Sequence, residues 1–480
     1  MRPRRGAVPR RAHPALAGEA RAGTATAHPR EGWARVFRHI PLQPRKPMRK
    51  IARGAGILAA VAALFSALLA IPAEASNETT TCRAVEVPFT VAGQTGPIAG
   101  TLCTPPGANV VQVLVHGWTY DQHYFDWPVK PETYSYARRA NAAGYATLAI
   151  DRLGAGASLR PPSLFTTFNN NAEALHAVVT ALRDGSLGQR FDKVVTVGHS
   201  LGSLTVAQEA GQFKDVDAVI TTGFVHTINY TNVIARVLGR DHPAMGDPKF
   251  AAVIKDPLYM TSIPGTRASF YHVPNTDPAV IEADERLKGA ASLVDFATGA
   301  GFNVVNVDRD LDIPVLVVTG DKDYFFCGLA SIDCSSAREL IEHERQWYGP
   351  NATIEAYMPP NTGHNTALEK TAPQSAKVMI DFVERHVGHG TGVPGTAPGK
   401  RPAIPSPPPT TPSPAAAVVA KAFETAVLPV ANAYVQAVEH VPGLGDTSNP
   451  VPGVDKLLAT VANTAHRFLG TLPAELVGAP

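Results

Sequence analysis

The sequence predicts an α/β fold in which a mostly parallel sheet carries helices on both faces and a helical cap insertion on one side. Short runs rich in Val, Ile and Leu alternate with longer stretches of helical spacing, which is typical of a buried parallel sheet. The stretch 224–306 interrupts this alternation with several helical segments. One strand also leads through a G-x-S-x-G turn, from Gly198 to Gly202, straight into a helix.

The remaining elements follow in chain order. Two strands at 86–91 and 98–102 come first, before the alternating region. The predicted later strands are 110–115, 145–150, 194–198, 218–223, 314–319 and 353–357, and the predicted helices are 133–143, 172–183, 203–213, 337–347 and 376–387. We therefore expect one α/β domain over 76–388, with a cap at about 224–306 that shapes a substrate pocket and excludes water.

Composition narrows the class of protein. The 480 residues are 45% hydrophobic and 18% charged, which suits a globular core, and the formal net charge is +2. A balance this close to neutral gives no support for nucleic acid as a partner.

The N-terminal region has the pattern of a signal peptide at 48–75. A basic stretch beginning at Met48 precedes an apolar run at 57–71 and an A-x-A cleavage sequence at 73–75, so we expect a secreted chain that starts at Ser76. The apolar run is short for a membrane-spanning helix. We interpret 1–47 as a mis-called extension before the true start, with a long disordered extension as the alternative.

Four cysteines are consistent with export. The simplest of the three connectivities pairs Cys82 with Cys103 and Cys327 with Cys334, and free thiols are the alternative. We expect no metal site, since neither C-x-x-C nor H-E-x-x-H occurs.

The C-terminal part differs in composition from the rest. Residues 389–414 are rich in Pro, Gly, Thr and Ser and predict an extended linker. The tail 415–480 is rich in Ala and Val with helical spacing, and predicts either a helical hairpin or a weakly ordered segment. Contact with a membrane or the cell envelope through these helices stays open, although they carry few basic residues.

Ser200 is the candidate nucleophile. In a strand–turn–helix context, G-x-S-x-G holds a serine hydroxyl clear of the backbone on a sharp turn. Gly198 and Gly202 lack a Cβ, which lets the strand and the helix pass closely. The alternative is a purely structural turn.

A serine hydroxyl needs a base, and the base needs an acid that fixes its tautomer. The acid is expected in G-D-K-D after the strand 314–319, where Asp323 is favoured and Asp321 is the rival with a turn or capping role. The base candidate is His364, which lies in T-G-H after the last strand. The order serine, acid, histidine is that of an elbow-type hydrolase.

Backbone N–H groups that stabilise an oxyanion are expected from Leu201 and from Trp118. We expect His116 to brace the Trp118 loop by hydrogen bonding. The aromatic residues crowded in that loop favour either an apolar acyl pocket or core packing: Trp118, Tyr120, Tyr124, Phe125 and Trp127. A Gly-rich turn that begins at Asp151 is interpreted as shaping a loop rather than binding phosphate.

These motifs together resemble the α/β-hydrolase superfamily, in its secreted esterase- or lipase-like branch. The matching segments occur in the family's order between residues 84 and 387: H-G-W at His116, D-R-L-G-A-G-A-S at Asp151, G-H-S-L-G at Gly198, G-D-K-D at Gly320 and T-G-H at Thr362. The resemblance implies the α/β-hydrolase fold, with Ser200 as nucleophile, Asp323 as acid, His364 as base and no cofactor. Dehalogenases and epoxide hydrolases of this superfamily carry an aspartate where Ser200 stands.

The functional hypothesis is a secreted serine hydrolase that cleaves a small-molecule or lipid ester through an acyl-enzyme. The first alternative is an acyltransferase that uses the same acyl-enzyme. The second is a non-catalytic binding protein on the same fold.

Overall fold

The computed structural model describes residues 79–389, except for 300–308, 310 and 329–330. The strands within these residues are β1 (Thr81–Val91), β2 (Gln94–Thr104), β3 (Val110–Val115), β4 (Ala146–Ile150), β5 (Lys193–His199), β6 (Ala218–Thr222), β7 (Asp241–Pro243), β8 (Tyr259–Ser262), β9 (Ala291–Ser292), β10 (Val315–Val318) and β11 (Ile354–Tyr357).

The helices of the same residues alternate with these strands. The α-helices are α1 (Pro131–Tyr134), α2 (Tyr136–Ala142), α3 (Phe168–Asp184), α4 (Leu201–Phe213), α5 (Tyr230–Gly239), α6 (Pro278–Leu287), α7 (Leu293–Gly299), α8 (Ala337–Glu344) and α9 (Ala372–His386). Short 3-10 helices lie at Gln122–Tyr124, Ser163–Phe165, Ala244–Gly246, Arg267–Phe270, Val273–Asn275 and Arg345–Trp347.

The central sheet has the strand order β1-β2-β4-β3-β5-β6-β10-β11. The first two pairings in this order are antiparallel, and every later pairing is parallel. Every residue of β3, β4, β6 and β10 is buried, because helices cover both faces of a parallel sheet. The predicted fold class is confirmed. Because β5, β10 and β11 run parallel, their carboxyl ends lie at the same edge of the sheet.

The prediction of one continuous helix at 133–143 is wrong. The stretch 133–143 is two helices, α1 and α2, because Ser135 takes an extended conformation between them. The Ser135 hydroxyl accepts the N–H of Arg138 at 3.1 Å and donates to Asp126 at 2.7 Å. A serine that bonds a nearby backbone N–H in this way begins a helix instead of continuing one.

The insertion between β6 and β10 is more than a helical cap. Its helices α5, α6 and α7 are joined by a small antiparallel sheet of order β7-β8-β9, which the sequence analysis did not predict. These strands are two to four residues long, too short to show an alternation of polar and apolar residues.

Both cysteine pairs of the simplest expected connectivity are disulfides. Cys82–Cys103 joins two residues that face each other across β1 and β2, and Cys327–Cys334 closes a short loop after β10. In the described part of the chain, no helix is both long and apolar enough to cross a membrane. The predicted extension 1–47, signal peptide 48–75, linker beyond His389 and tail 415–480 lie outside the described residues.

Candidate active site

Ser200 stands at a sharp turn between β5 and α4. Its backbone has φ 52° and ψ −119°, a left-handed conformation that a non-glycine residue rarely adopts. A Cβ on Gly202 would lie 2.2 Å from the carbonyl oxygen of Val115, and one on Gly198 would lie 2.4 Å from the Cα of Ser203. Only glycine fits at both places, so the motif glycines permit the close strand–helix passage that holds the serine.

His364 and Asp323 form a buried hydrogen-bonded pair. Nδ1 of His364 lies 2.8 Å from Oδ2 of Asp323, and the two side chains are 3% and 0% exposed. Asp323 follows β10 and His364 follows β11, so the parallel pairing of these strands brings the two loops together. The rival Asp321 accepts the N–H of Thr362 at 3.1 Å instead, a bond that holds the loop of His364.

Two backbone N–H groups near Ser200 are available to a ligand. Leu201 is the first residue of α4, and an N–H in the first turn of a helix has no acceptor within that helix. The backbone N–H of Trp118 makes no hydrogen bond with any described residue. Both residues line the same cavity as Ser200 and His364.

This cavity is mainly apolar, and the inserted segment supplies much of its wall. Its lining consists of Trp118, Ser200, Leu201, Leu204, Ile228, Val233, Arg236, Val237, Phe270, Phe296, Phe325, Phe326 and His364. The rings of Phe270 and Phe326 stack near the His364 ring, with centroids 5.9 and 5.8 Å away. An apolar chain placed in this cavity would therefore lie directly beside Ser200 and His364.

His116 braces the loop that carries Trp118, as expected. Its Nε2 accepts the backbone N–H of Arg152 at 3.0 Å, so Nδ1 carries the proton and donates to the carbonyl oxygen of Gly117 at 2.9 Å. Burial, with the charge of Arg152 as the second cause, lowers the pKa of His116 to about 4. The ring is therefore neutral at physiological pH and serves both backbone contacts at once.

The aromatic residues of this loop divide between the two expected roles. Trp118 lines the cavity, whereas Tyr120, Tyr124, Phe125 and Trp127 are buried in the core beneath it. The Gly-rich turn shapes a loop: the Asp151 carboxylate accepts the N–H groups of Gln122 and Ala157, each at 2.9 Å. The Asp151 carboxylate therefore connects two loops. This is the expected loop-shaping role, and not phosphate binding.

Sequence reasoning missed the residues that the insertion brings to the cavity. Arg236 lies on α5 and Phe270 in a 3-10 helix, and no sequence motif marks either. Two histidines of the region, His226 and His272, are not among the lining residues. His226 is bound to Glu344, and the backbone N–H of His272 donates to Glu369.

The model of the alpha/beta hydrolase family matches residues 112–376. None of the curated proteins matches the chain. Similar solved structures include an esterase from Pyrococcus furiosus, with 17% identity over 64% of this chain and 92% of that one and a TM-score of 0.40. A bromoperoxidase from Bacillus anthracis has 15% identity, 63% and 100% coverage and a TM-score of 0.43, and an esterase from Exiguobacterium antarcticum has 12% identity, 62% and 100% coverage and a TM-score of 0.43.

Proposed function

Since the chain belongs to the alpha/beta hydrolase family, we propose that it is a secreted serine hydrolase that cleaves carboxylic esters through an acyl-enzyme. The observation that carries this proposal is the buried 2.8 Å hydrogen bond between His364 and Asp323. His364 lines the same cavity as Ser200. An acid of this kind fixes the histidine tautomer and stabilises the imidazolium that forms.

In the first half of the reaction, Ser200 Oγ attacks the ester carbonyl carbon while Nε2 of His364 takes the hydroxyl proton. The carbonyl oxygen becomes an oxyanion, which the N–H groups of Trp118 and Leu201 stabilise. The intermediate then expels the alcohol, which leaves with the proton held on His364. Each backbone donor of this type typically contributes about 2.7–4 kcal/mol to the transition state.

In the second half, His364 takes a proton from a water molecule, and the resulting hydroxide attacks the acyl carbon. The same two N–H groups stabilise the second oxyanion. Its collapse releases the carboxylic acid and returns the proton from His364 to Ser200 Oγ. No redox partner or metal enters this balance.

An ester with an apolar acyl group is favoured by the character of the cavity. Phe270, Phe296, Phe325 and Phe326 line it together with aliphatic side chains, and burial of an apolar chain against them is favourable in proportion to the area covered. Secretion is supported by the signal-peptide pattern at 48–75 and by the two disulfides, which persist mainly in oxidising compartments.

The test is a panel of p-nitrophenyl esters of increasing acyl length, applied to the chain from Ser76 and to its Ser200→Ala variant, together with fluorophosphonate labelling. We expect turnover that depends on acyl length, labelling at Ser200, and loss of both in the variant. Undiminished esterase activity in Ser200→Ala would contradict the mechanism. Labelling without release of acid, but with ester formation when an acceptor alcohol is added, would identify an acyltransferase instead.

A further inference from the structure

Three potential metal ligands converge at the end of α4 that is remote from Ser200. His176 lies on α3, Glu209 lies on α4, and Asp215 follows α4 after the helix-ending residue Lys214. Glu209 is nine residues beyond Ser200, which corresponds to about 13 Å along a helix. This cluster is therefore separate from the candidate active site.

The ligand atoms of the cluster lie close together. Nδ1 of His176 is 2.8 Å from Oδ2 of Asp215 and 3.8 Å from Oε1 of Glu209, and one atom from each residue fits within 4.8 Å of the others. The His176 ring is stacked on Phe213 with centroids 3.8 Å apart and an interplanar angle of 8°. The stacking holds the imidazole in the orientation that directs Nδ1 at the two carboxylates.

Glu209 is the unusual member of the cluster. Its side chain is fully buried, and neither carboxylate oxygen has a hydrogen-bond partner among the described residues. Oδ1 of Asp215 is likewise buried without a partner in that part of the chain. A buried carboxylate without a partner is strongly unfavourable, so the site requires either a cation or a bound proton.

No lysine or arginine of the described residues pairs with Glu209, and His176, whose Nδ1 is 3.8 Å from Oε1 of Glu209, already donates to Asp215 at 2.8 Å. Arg183 gives its guanidinium to the carboxylate of Asp217 and to the backbone carbonyl oxygen of Asp215. Burial raises the pKa of Glu209 to about 8; the contact with His176 lowers this pKa and the nearby Asp215 carboxylate raises it, both less than burial does. The protein alone therefore leaves the carboxylate poorly stabilised in its charged form.

We propose that His176, Glu209 and Asp215 bind one zinc ion, which ties α3 to the end of α4. One imidazole nitrogen with two carboxylate oxygens is a donor set that suits zinc, and water completes its four ligands. Tetrahedral zinc with bonds of about 2.0–2.2 Å places its ligand atoms about 3.4 Å apart. The separations between 2.8 and 4.8 Å in the cluster bracket that value, so small side-chain movements suffice.

The surface offers an entry path to this site. The side chains of His176 and Asp215 are 36% and 26% exposed, whereas the side chain of Glu209 is fully buried beneath them. Zinc replaces the proton that His176 now donates to Asp215, so binding releases protons and weakens as the pH falls. The zinc ion has a structural role, because it binds at one end of α4 and Ser200 lies at the opposite end.

The experiment titrates zinc chloride into the metal-free full-length chain by calorimetry and repeats the titration with Glu209→Gln and Asp215→Asn. Glu355→Gln is the matched control, because Glu355 pairs with His386 at 2.6 Å in a surface His–carboxylate pair that is not part of a three-ligand group among the described residues. Gln at 209 keeps the shape of the protonated side chain, so this variant is expected to fold. Circular dichroism checks each variant.

We expect one zinc ion per wild-type chain and a melting temperature that rises with zinc. Both Glu209→Gln and Asp215→Asn should weaken this binding at least about tenfold, while Glu355→Gln leaves it unchanged. If folded Glu209→Gln binds zinc as tightly as the wild type, or if the wild type shows no saturable binding, the proposal is overturned. In the second case Glu209 holds a proton, and Glu209→Gln then matches or exceeds the wild type in stability at pH 8.

Discussion

Nε1 of Trp118 donates a 2.7 Å hydrogen bond to Oδ2 of Asp241, which joins the loop after β3 to the inserted segment. The other oxygen of Asp241 accepts from Arg236 at 2.7 Å, and this ion pair is almost fully buried. The residue that offers a backbone N–H beside Ser200 is therefore positioned by the insertion as well as by the sheet.

We expect Trp118→Phe to lower the free energy of unfolding more than Trp127→Phe. Both indoles are buried, but Nε1 of Trp127 has no acceptor in the described part of the chain. The two changes remove similar ring volume, and only the first removes a hydrogen bond to a carboxylate, which contributes about 1.5–3 kcal/mol. Urea unfolding measures both, and equal losses would contradict the role of the Asp241 contact.

Asp323→Asn should reduce kcat for ester hydrolysis by about 10⁴-fold, because an amide favours the wrong tautomer of His364. Asp321→Asn is the control, since Asp321 accepts the backbone N–H of Thr362 in the loop of His364 and pairs with Lys322 at 3.4 Å. We expect Asp321→Asn to reduce kcat far less than Asp323→Asn. Steady-state kinetics on the best p-nitrophenyl ester separate the two, and a larger loss in Asp321→Asn would reverse the assignment of the acid.

Gly202→Ala should disrupt both folding and activity. The new Cβ would lie 2.2 Å from the carbonyl oxygen of Val115, within the rigid contact of β3 and α4. Overpacking of this kind typically lowers the free energy of unfolding by about 1–3 kcal/mol. Gly246→Ala is the matched control, because a Cβ there meets nothing within 4 Å. Thermal melts and fluorophosphonate labelling of both variants provide the comparison, in which equal stability would refute the packing argument.

Stability should depend on Glu344 between about pH 4.5 and pH 2. Glu344 is fully buried and accepts from the backbone N–H and the ring of His226 and from the ring of His343. Burial alone would raise its pKa, but the charge of His226 and these hydrogen bonds together outweigh burial and lower the pKa of Glu344 to about 2. A depressed carboxyl pKa stabilises the fold above the unfolded pKa of 4.5, and this contribution is lost as the pH falls through the folded value.

Glu344→Gln should therefore lower the free energy of unfolding by about 3 kcal/mol at pH 7, and the difference from the wild type should shrink towards pH 2. Glu342→Gln on the same helix is the control, since Glu342 is exposed and its ion pair among the described residues is with Arg338. Chemical unfolding at several pH values makes the measurement. A difference that stays constant across this range would show that Glu344 does not act through its charge.

Much of the fold was predictable because its signals are local. The apolar runs of β3, β5 and β10 identify buried strands, and G-x-S-x-G between a strand and a helix identifies the turn at Ser200. The break at Ser135 escaped prediction because it depends on a hydrogen bond between the serine hydroxyl and one particular N–H, which composition does not reveal.

The sequence by itself determined the order of the eight strands of the central sheet and the candidate residues Ser200, Asp323 and His364, since periodicity and strand ends are properties of neighbouring residues. Only the tertiary structure decided that Asp323 rather than Asp321 contacts His364 and that Arg236 and Phe270 line the cavity. Only the tertiary structure brings His176, Glu209 and Asp215 together. Contacts between residues far apart in the chain arise from the packing of whole helices and loops, which no short window of sequence encodes.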